Sequence, residues 1–367
     1  MSTKPPKARV LAYYLPQFHP IPENDKWWGK GFTEWIHVGK AKPLFPRHNQ
    51  PRIPADLGYY DLRLQEIREA QAKMAKENGI EGFVYYHYWF GNGKRMLQLP
   101  FNEVLSSKQP DFPFALAWAN DSWSSTMHGL RKGETLMEQT YPGEEDYLAH
   151  FKTVLPAFKD SRYIYCDGKP IFMIYLPESL PDMSFFIEYW QKLALQNGLN
   201  GIYFIAFSIS RYNSNETSSF YSKMMSFGFD AVVFENLQPP RSTIPFLKRI
   251  FLKLMRCLFH WPLLFYYNDK YFVPDLCWKK INAFPTVIPN WDHTPRSGNR
   301  GSVMLGASPE KFQKTMHMVI EKLQSKPIDK RFLFIKSWNE WGEGNYLEPD
   351  SQYGYSWLNA IKNELKD

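Results

Sequence analysis

A chain of 367 residues in which 44% are hydrophobic and only 22% are charged can bury a large core, which excludes an intrinsically disordered protein. The net charge of +7 favours an anionic partner, but no long Lys/Arg run and no nucleic-acid motif occurs. We therefore expect no nucleic-acid partner. Three widely spaced cysteines indicate neither a disulfide framework nor a zinc site.

The N-terminal residues and the hydropathy of the chain predict its location. Residues 1–9 lack the apolar segment of a secretory signal peptide. No uncharged run reaches the roughly 18 residues that a membrane-spanning helix needs. The few cysteines, odd in number, fit a reducing compartment. We expect a cytoplasmic protein.

Aromatic residues make up 17% of the chain, and 13 Trp and 22 Tyr are unusually many. Such side chains fill protein cores. Trp and Tyr also form flat apolar surfaces with polar tips, on which sugar rings stack. Composition alone leaves both interpretations open.

Short apolar runs that alternate with helical patterns predict the fold. Helices are predicted at 61–78, 147–158, 185–196, 220–225 and 309–324. A doubly wound sheet would use fewer strands or add a Gly-rich phosphate loop, and none is present. The pattern therefore predicts one α/β domain over residues 1–367, a (β/α)8 TIM barrel with long βα loops. Its eight predicted strands are 10–15, 82–88, 112–118, 170–175, 201–206, 229–234, 284–288 and 332–336.

Polar side chains follow the ends of most predicted strands. In a parallel barrel these ends converge on one mouth, where the βα loops form the active site. A metal site of His19, His87, Asp121 and His293 is an alternative, but no tight ligand spacing such as H-E-x-x-H supports it. We expect no metal and no cofactor. The residues predicted to face the mouth are His19, His87, Asp121, Tyr175, Glu235, Asn290, Asp292, His293, Asn339, Glu340 and Glu343.

The last predicted strand runs into a loop that carries two carboxylates, Glu340 and Glu343. Cleavage of a glycosidic bond needs a proton donor and a second carboxylate close to it. An i, i+3 pair on a helical turn has Cβ atoms about 5 to 6 Å apart. Two carboxylates that close together separate their pKa values, which gives one acid and one base near neutral pH.

A structural role is the alternative interpretation of this carboxylate pair. Glu340 and Glu343 would then cap the following helix or form ion pairs with Lys336 and Arg296. We expect two further acids, Glu348 and Asp350, to be surface or capping groups.

Four motifs carry a resemblance that covers nearly the whole chain. They are residues 12–20 (AYYLPQFHP), 27–35 (WWGKGFTEW), 83–89 (FVYYHYW) and 338–344 (WNEWGEG), the last followed by 346–349 (YLEP). With these motifs the sequence resembles the WbsX-like proteins of bacterial polysaccharide and O-antigen gene clusters. Those proteins belong with the glycoside hydrolase family 99-like domain.

The resemblance implies a (β/α)8 barrel and, by analogy with family 99 endo-α-mannosidases, retaining cleavage of an α-linked sugar through a 1,2-anhydro intermediate. In those enzymes the motif Glu-Trp-His-Glu-Gly holds both catalytic acids. Glu340 matches the base that takes the proton of the sugar 2-hydroxyl, and Glu343 matches the general acid/base. Gly342 stands where that motif has His. We expect the lost imidazole to leave space, so mannose specificity does not carry over.

A basic, apolar insertion at 241–280 contains a helical pattern at 244–261. On a helical wheel we expect its cations, Lys248, Arg249, Lys253, Arg256 and His260, to fall in one sector. One interpretation, which we favour, is the sixth barrel helix packed inward. The other is a helix that lies on an anionic membrane, giving peripheral contact with the inner membrane.

Together these features predict a glycosidase-fold enzyme that hydrolyses or transfers α-linked glycosyl units, with a glycan as its partner, free or lipid-linked. One alternative is a glycosyltransferase of polysaccharide biosynthesis, although no Asp-x-Asp motif or nucleotide phosphate loop is present. Another is a non-catalytic glycan-binding barrel. The predicted catalytic residues are Glu340 and Glu343, and the predicted sugar-binding residues are Tyr14, His19, Trp28, Glu34, His87, Asn120, Asp121, Glu235, Trp291 and Asn339.

Overall fold

Eight parallel strands close into a barrel in the computed structural model, which describes residues 6–125, 133–210, 213–237, 245–268 and 272–366. Each strand pairs with the next in chain order, and the eighth pairs with the first. The (β/α)8 fold and all eight predicted strands are confirmed. The strands are β1 (Arg9–Tyr14), β2 (Gly82–Trp89), β3 (Phe114–Trp118), β4 (Lys169–Ile174), β5 (Tyr203–Ile209), β6 (Ala231–Glu235), β7 (Ala283–Val287) and β8 (Phe332–Ile335).

Side chains alternate between the barrel interior and the helix layer, because successive residues of a strand point to opposite faces. In β1 the Tyr13 ring packs across the interior against Phe207 and Phe334, at centroid distances of 5.3 and 5.7 Å. The next residue, Tyr14, lies on the outer face against Tyr85 at 4.5 Å. This alternation decides which residues near a strand end reach the mouth.

Amphipathic helices form the outer layer. In the helix Pro309–Leu323, buried Phe312, Met316 and Val319 recur every three or four residues and face the barrel and the last helix. All five helices predicted from sequence are present. The helices are α1 (Pro22–Trp28), α2 (Glu34–Lys40), α3 (Gln65–Glu77), α4 (Leu99–Ser107), α5 (Glu144–Phe158), α6 (Met183–Gln196), α7 (Ser214–Ser226), α8 (Phe246–Phe259), α9 (Leu276–Lys279), α10 (Thr294–Ser297), α11 (Pro309–Leu323) and α12 (Ser356–Leu365).

The segment between β6 and β7 corrects one prediction. A helix is present, but α8 has no buried residue, so its interpretation as the inward-packed sixth barrel helix is wrong. The short α9 takes that place, with Leu276 and Cys277 buried, and contacts β7. Because α9 already covers the strand, α8 has no barrel surface to cover. Residue 244 of the predicted segment lies outside the described residues.

The loops at the carboxyl ends of the strands carry short structures of their own. Leu263–Tyr266, after α8, pairs in parallel with Ser302–Leu305, after β7, so these two loops form one unit. After β8, Asn339–Glu340 pairs with Asn345–Tyr346 in a tight hairpin. Within the residues described, no helix is both long and apolar enough to cross a bilayer.

Candidate active site

A cleft of about 120 Å³ opens at the carboxyl-end mouth of the barrel. Both members of the predicted catalytic pair, Glu340 and Glu343, line it, so the last strand delivers them where the sequence analysis expected. Aromatic side chains form much of the wall. The lining residues are Leu15, Gln17, Tyr86, Tyr88, Ala119, Asp121, Trp123, Tyr175, Arg296, Lys336, Glu340 and Glu343.

The loop after β8 holds the carboxylate pair on a rigid turn. Glu340 ends one hairpin strand, and a single 3-10 turn, Trp341–Glu343, leads to Glu343. The Trp341 ring is buried and stacks on Tyr346 at 3.7 Å between centroids. Its Nε1 donates to Glu348 Oε2 at 2.6 Å. The turn is therefore anchored from behind by packing and by a buried hydrogen bond.

Glu348 and Asp350 are buried, so the prediction of surface groups is wrong for both, although Asp350 caps the backbone N–H groups of Gln352 and Tyr353. Glu348 is buried and accepts hydrogen bonds from Tyr60 Oη at 2.8 Å and Gln71 Nε2 at 2.6 Å, besides Trp341. Asp350 is also buried. Two donors to Glu348, Tyr60 and Gln71, lie near the opposite end of the chain, so its sequence neighbours do not predict its burial. Asp350 accepts from nearby groups, including the Tyr346 hydroxyl at 2.6 Å.

Arg296 bridges two carboxylates at the cleft. Its Nη1 donates to Glu343 Oε1 at 2.5 Å, and its Nε donates to Glu34 Oε2 at 3.0 Å. All three side chains are largely buried. The alternative interpretation of an ion pair between Glu343 and Arg296 thus describes a real contact, but that contact lies inside the cleft. It does not remove Glu343 from a ligand's reach.

The carboxylate pair is electrostatically asymmetric. Burial and the neighbouring charge of Glu343 raise the pKa of Glu340 to about 8. Burial also disfavours ionised Glu343, but the positive charges of Arg296 and Lys336 outweigh it and lower that pKa to about 2. Between these values the pair holds one proton, on Glu340. The predicted separation of pKa values is present, but its order is the reverse of the one that the roles taken from the resemblance require.

A second ion pair lies beneath the first. Lys336 Nζ donates to Glu235 Oε1 at 2.9 Å, and both groups are buried. Burial opposes the charge on Lys336, but nearby Glu235 raises its pKa well above the usual range. Glu235 thus supports the site through Lys336, which itself lines the cleft.

Asp292 organises the loop after β7. It is fully buried and accepts hydrogen bonds from His48 Nε2 and Gln50 Nε2, both at 2.7 Å. The backbone N–H and hydroxyl of Thr294 also donate to it, at 3.0 and 2.6 Å. Burial opposes its ionisation, but these donors lower its pKa below the usual range. The fixed loop leads directly into α10, which carries Arg296.

Gly342 does not leave empty space, which corrects the expectation from the lost imidazole. A Cβ at this position would overlap Glu34 Oε2 and lie 3.0 Å from Arg296 Nε. The bridged pair of Glu34 and Arg296 therefore fills the room beside the turn. The departure from the family 99 motif brings a guanidinium against the second acid.

Of the ten predicted sugar-binding residues, Asp121 lines the cleft, and burial raises its pKa. Five others support the lining from behind. Glu34 and Glu235 bind Arg296 and Lys336. Trp291 stacks on His293 at 5.9 Å, and its Nε1 donates to Ser302 Oγ at 3.0 Å.

The two predicted asparagines connect loops. Asn120 Nδ2 donates to the carbonyl of Leu176, and Asn120 Oδ1 accepts from the N–H of the same residue at 2.7 Å. Asn339 makes the equivalent pair of bonds with the backbone of Leu15, at 3.0 and 2.8 Å. Both are positioned near the mouth as predicted, but their polar atoms are engaged with backbone.

Tyr14 and His87 lie in the outer layer, away from the cleft. The Tyr14 hydroxyl donates to Gln71 Oε1 at 2.6 Å, on α3. His87 Nε2 lies 2.8 Å from Nε2 of His150, on α5, and burial lowers the His87 pKa to about 3. Their prediction as sugar ligands is wrong, because the side chain of each points to the outer face of its strand, away from the barrel interior.

His19 and Trp28 also lie outside the cleft lining. His19 is buried, and burial lowers its pKa to about 4. The Trp28 ring stacks on Phe32 at 4.9 Å. The motif at 27–35 reaches the site through two other residues, since Trp27 packs against Trp123 at 6.0 Å and Glu34 accepts from Arg296.

Sequence reasoning did not single out Tyr86, Tyr88, Gln17, Trp123 and Arg296 as ligand contacts. The two tyrosines had a usable signal, since they alternate with His87 and share the inward face of β2. Arg296 was named only as an ion-pair partner of Glu340 and Glu343, and nothing in the sequence connects it with Glu34, 262 residues away.

The alternative metal site is not formed. Among described residues, the one group of three possible ligand atoms within 4.8 Å is Cys166, Asp167 and Asp329, which do not line the cleft. His87 instead pairs with His150, and His293 lies 3.8 Å from Glu343 Oε1. The residues named for that alternative site therefore belong to separate environments.

A closed parallel barrel whose aromatic-walled mouth holds a paired acid and carboxylate is compatible with the chemistry of a carbohydrate-active enzyme. The chain belongs to the family described as glycosyltransferase WbsX, which it matches over residues 10–361. The family resemblance found in the motifs is thereby confirmed.

Two relatives from Xanthomonas campestris pv. campestris, both named WxcX, are similar over nearly the whole chain. The proteins of strains B100 and ATCC 33913 are each 34% identical, over 361 and 359 residues. These stretches are 98% of this chain and 50% of each relative. The chain spans about half the length of the curated relatives it matches.

Solved structures share the fold. A glycoside hydrolase-like protein superposes with a TM-score of 0.61 at 15% identity, covering 100% of this chain and 96% of the other. The GH99 endo-α-mannosidase from Bacteroides thetaiotaomicron gives 0.55 at 14% identity, covering 97% and 95%. At such identities the likeness shows the barrel architecture alone.

The filled space beside Gly342 makes a testable prediction. Gly342→Ala should lower the free energy of unfolding by about 1 to 3 kcal/mol, because a methyl group is forced into an occupied site. Gly39→Ala, in α2, is the matched control, since its Cβ meets no atom within 4 Å. Urea unfolding compares the two. We expect Gly39→Ala to be at least as stable as the wild type, because Ala favours a helix over Gly. Gly342→Ala as stable as the wild type would show that the position is open.

The raised pKa of Glu340 predicts a pH-dependent stability. The folded protein keeps this proton up to about pH 8, whereas the unfolded chain releases it near 4.5. Raising the pH across this window therefore favours unfolding, by several kcal/mol in order of magnitude. Glu340→Gln removes this titratable group. The free energy of unfolding of the variant, relative to that of the wild type, should therefore increase from pH 5 to pH 8. Urea unfolding at each pH measures it, and a constant difference would contradict the assignment.

Proposed function

We propose that this protein cleaves or transfers an α-linked glycosyl unit in bacterial surface-polysaccharide metabolism, with Glu340 and Glu343 as the catalytic pair. The observation that carries the proposal is that both carboxylates line one cleft, where burial raises the pKa of Glu340 and the charges of Arg296 and Lys336 lower the pKa of Glu343. Cleavage of a glycosidic bond requires one proton donor and one carboxylate at the same time. The aromatic wall supplies apolar faces for a sugar ring.

The proposed reaction has two steps and retains the anomeric configuration. In the first, Glu340 takes the proton of the 2-hydroxyl, that oxygen bonds to the anomeric carbon, and Glu343 protonates the departing oxygen. In the second, water or an acceptor hydroxyl attacks the anomeric carbon and gives its proton to Glu343. The 1,2-anhydro ring opens, and its oxygen recovers a proton from Glu340. Each residue ends in its starting protonation state.

These roles require the single proton to sit on Glu343, whereas the resting pair keeps it on Glu340. The contact that favours the resting order is the ion pair from Arg296 to Glu343 Oε1. A bound glycan must therefore loosen this contact, which raises the pKa of Glu343 and prepares it to donate. Arg296 is thus a positioning residue for the proton, and the total proton count of the pair stays at one.

The proposed sugar contacts differ from those expected from sequence. Tyr86, Tyr88 and Tyr175 line the cleft, and burial raises the pKa of each, so they stay protonated and can donate to hydroxyl groups. Trp123 offers an apolar face, and Asp121 an acceptor. Because Gly342 stands where the family 99 motif has His, the proposal names no mannose specificity.

A glycosyltransferase is the second candidate, and the description of the matching family favours it. A transferase that uses a sugar nucleotide must bind a diphosphate. The sequence has no Gly-rich phosphate loop and no Asp-x-Asp motif, which favours transfer from one glycan to another over nucleotide-dependent transfer.

Product analysis tests the proposal. The protein is incubated with a panel of α-linked oligosaccharides, with and without sugar nucleotides, and products are identified by NMR. We expect cleavage or transfer with retention and without nucleotide. Glu340→Gln and Glu343→Gln should each lower kcat by roughly 10²- to 10⁴-fold, because each removes a proton-transfer group. Glu145→Gln, an exposed acid on α5, is the control.

The possible outcomes separate the candidates. Turnover that requires a sugar nucleotide would favour the glycosyltransferase. Glycan binding without turnover, unchanged in folded Glu343→Gln, would favour a non-catalytic barrel. Inversion at the anomeric carbon would contradict the 1,2-anhydro route.

The pH dependence of kcat/KM tests the role of Arg296. Activity should fall above about pH 8, because loss of the shared proton leaves two carboxylates and no acid. In Arg296→Lys, one ammonium replaces a guanidinium that reaches both Glu34 and Glu343, so the pKa of Glu343 should rise. The low-pH side of the kcat/KM profile should then move to higher pH. Arg300→Lys, nearby and exposed, should leave the profile unchanged.

A further inference from the structure

The helix α8 exposes an unusually large apolar surface. Of its 14 residues none is buried, and the side chains of Leu247 and Phe246 are 79% and 66% exposed. Ile250, Leu254 and Leu258 are exposed as well. An apolar face of this kind is costly in water, and it commonly marks an interaction surface.

The orientation of α8 follows from which residues are half-buried. Lys248, Leu252 and Met255 are one turn apart and face the body of the protein. Lys248 Nζ lies 3.5 Å from the centroid of the Tyr266 ring. Lys248 is therefore separate from the other cations, which corrects the expectation of one common sector.

Three other cations lie beside the exposed apolar face. Arg249, Lys253 and Arg256 line a groove of about 650 Å³ between α8 and the strand Leu263–Tyr266. The groove is otherwise lined by apolar side chains, including those of Leu263 and Leu264. The sequence of α8, FLKRIFLKLMRCLF, contains no acidic residue. The helix thus presents an apolar surface with a cationic border.

We propose that α8 docks on the surface of an anionic lipid bilayer. Its apolar side chains would enter the boundary between headgroups and acyl chains, and Arg249, Lys253 and Arg256 would contact lipid phosphates. A second copy of α8 is a poorer occupant, because pairing two such helices brings like charges together with no acid to neutralise them. An anionic bilayer satisfies both the apolar face and the cations.

Docking through α8 would bring the cleft close to the bilayer. Trp261, directly after α8, lies 5.7 Å from Phe45, whose ring stacks on His48 at 4.3 Å. His48 binds Asp292, whose backbone N–H donates to the carbonyl of Glu343 at 2.7 Å. Contacts therefore run from the end of α8 to the catalytic turn. A lipid-linked glycan as the substrate rests on the proposed function, whereas docking itself does not.

Vesicle flotation tests this proposal without any assay of catalysis. The full chain is mixed with vesicles of phosphatidylcholine alone or with one third phosphatidylglycerol, and the floated fraction is measured. We expect flotation with the anionic vesicles, weakened at high salt. Leu254→Glu should lower the partition coefficient at least tenfold, and so should the triple change of Arg249, Lys253 and Arg256 to Glu.

Matched controls separate docking from loss of structure. Leu195→Glu, on α6, changes a leucine that is 64% exposed and should float like the wild type. Circular dichroism and thermal melting verify that each variant is folded, as expected for exposed positions. Absence of flotation, equal flotation with neutral vesicles, or unchanged flotation of the α8 variants overturns the proposal. Concentration-dependent dimerisation that Leu254→Glu abolishes, without flotation, assigns the face to a second copy and also overturns it.

Discussion

The bridge from Arg296 to Glu34 and Glu343 is the interaction on which the site depends. It joins the loops after β1, β7 and β8, and its three charged groups are largely buried. Removal of one partner would leave a buried charge unpaired, at a cost of about 3 to 5 kcal/mol. The same guanidinium keeps Glu343 ionised, and ionised Glu343 in turn keeps Glu340 protonated. One contact therefore sets both the geometry and the protonation of the pair.

The surrounding structure keeps this bridge in place through neutralised buried charges. Lys336 and Glu235 form a second pair below it, and Asp292 is satisfied by donors from the loop after β1. Behind the turn that carries Glu340 and Glu343, Glu348 accepts from the indole of Trp341. Arg296, Lys336 and Asp292 each have a partner from another loop or strand end, so these segments are fixed relative to one another.

The chain belongs to a family described as glycosyltransferase and shares its barrel fold with a glycoside hydrolase-like protein and a GH99 endo-α-mannosidase. The two descriptions are chemically compatible, because a retaining glycosidase site transfers a glycosyl unit whenever a hydroxyl replaces water in the second step. A position at an anionic bilayer would favour such an acceptor if it were anchored in lipid. Both α8 and the cleft belong to the loops that follow the carboxyl ends of the strands, and contacts from Trp261 to Asp292 connect them.

The sequence by itself determined the barrel, because eight apolar runs at helix-spaced intervals allow few alternatives, and it located Glu340 and Glu343 at a strand end. The two-residue period of a strand also shows from sequence that Tyr86 and Tyr88 share one face of β2 and that His87 lies on the other. It does not show which of the two faces points into the barrel. The tertiary structure alone decided that, and it brought Arg296 to Glu34 across 262 residues of chain. It also left α8 uncovered. Strand periodicity is local and visible in sequence, whereas ion pairs between loops and burial of a helix face arise only when distant segments meet.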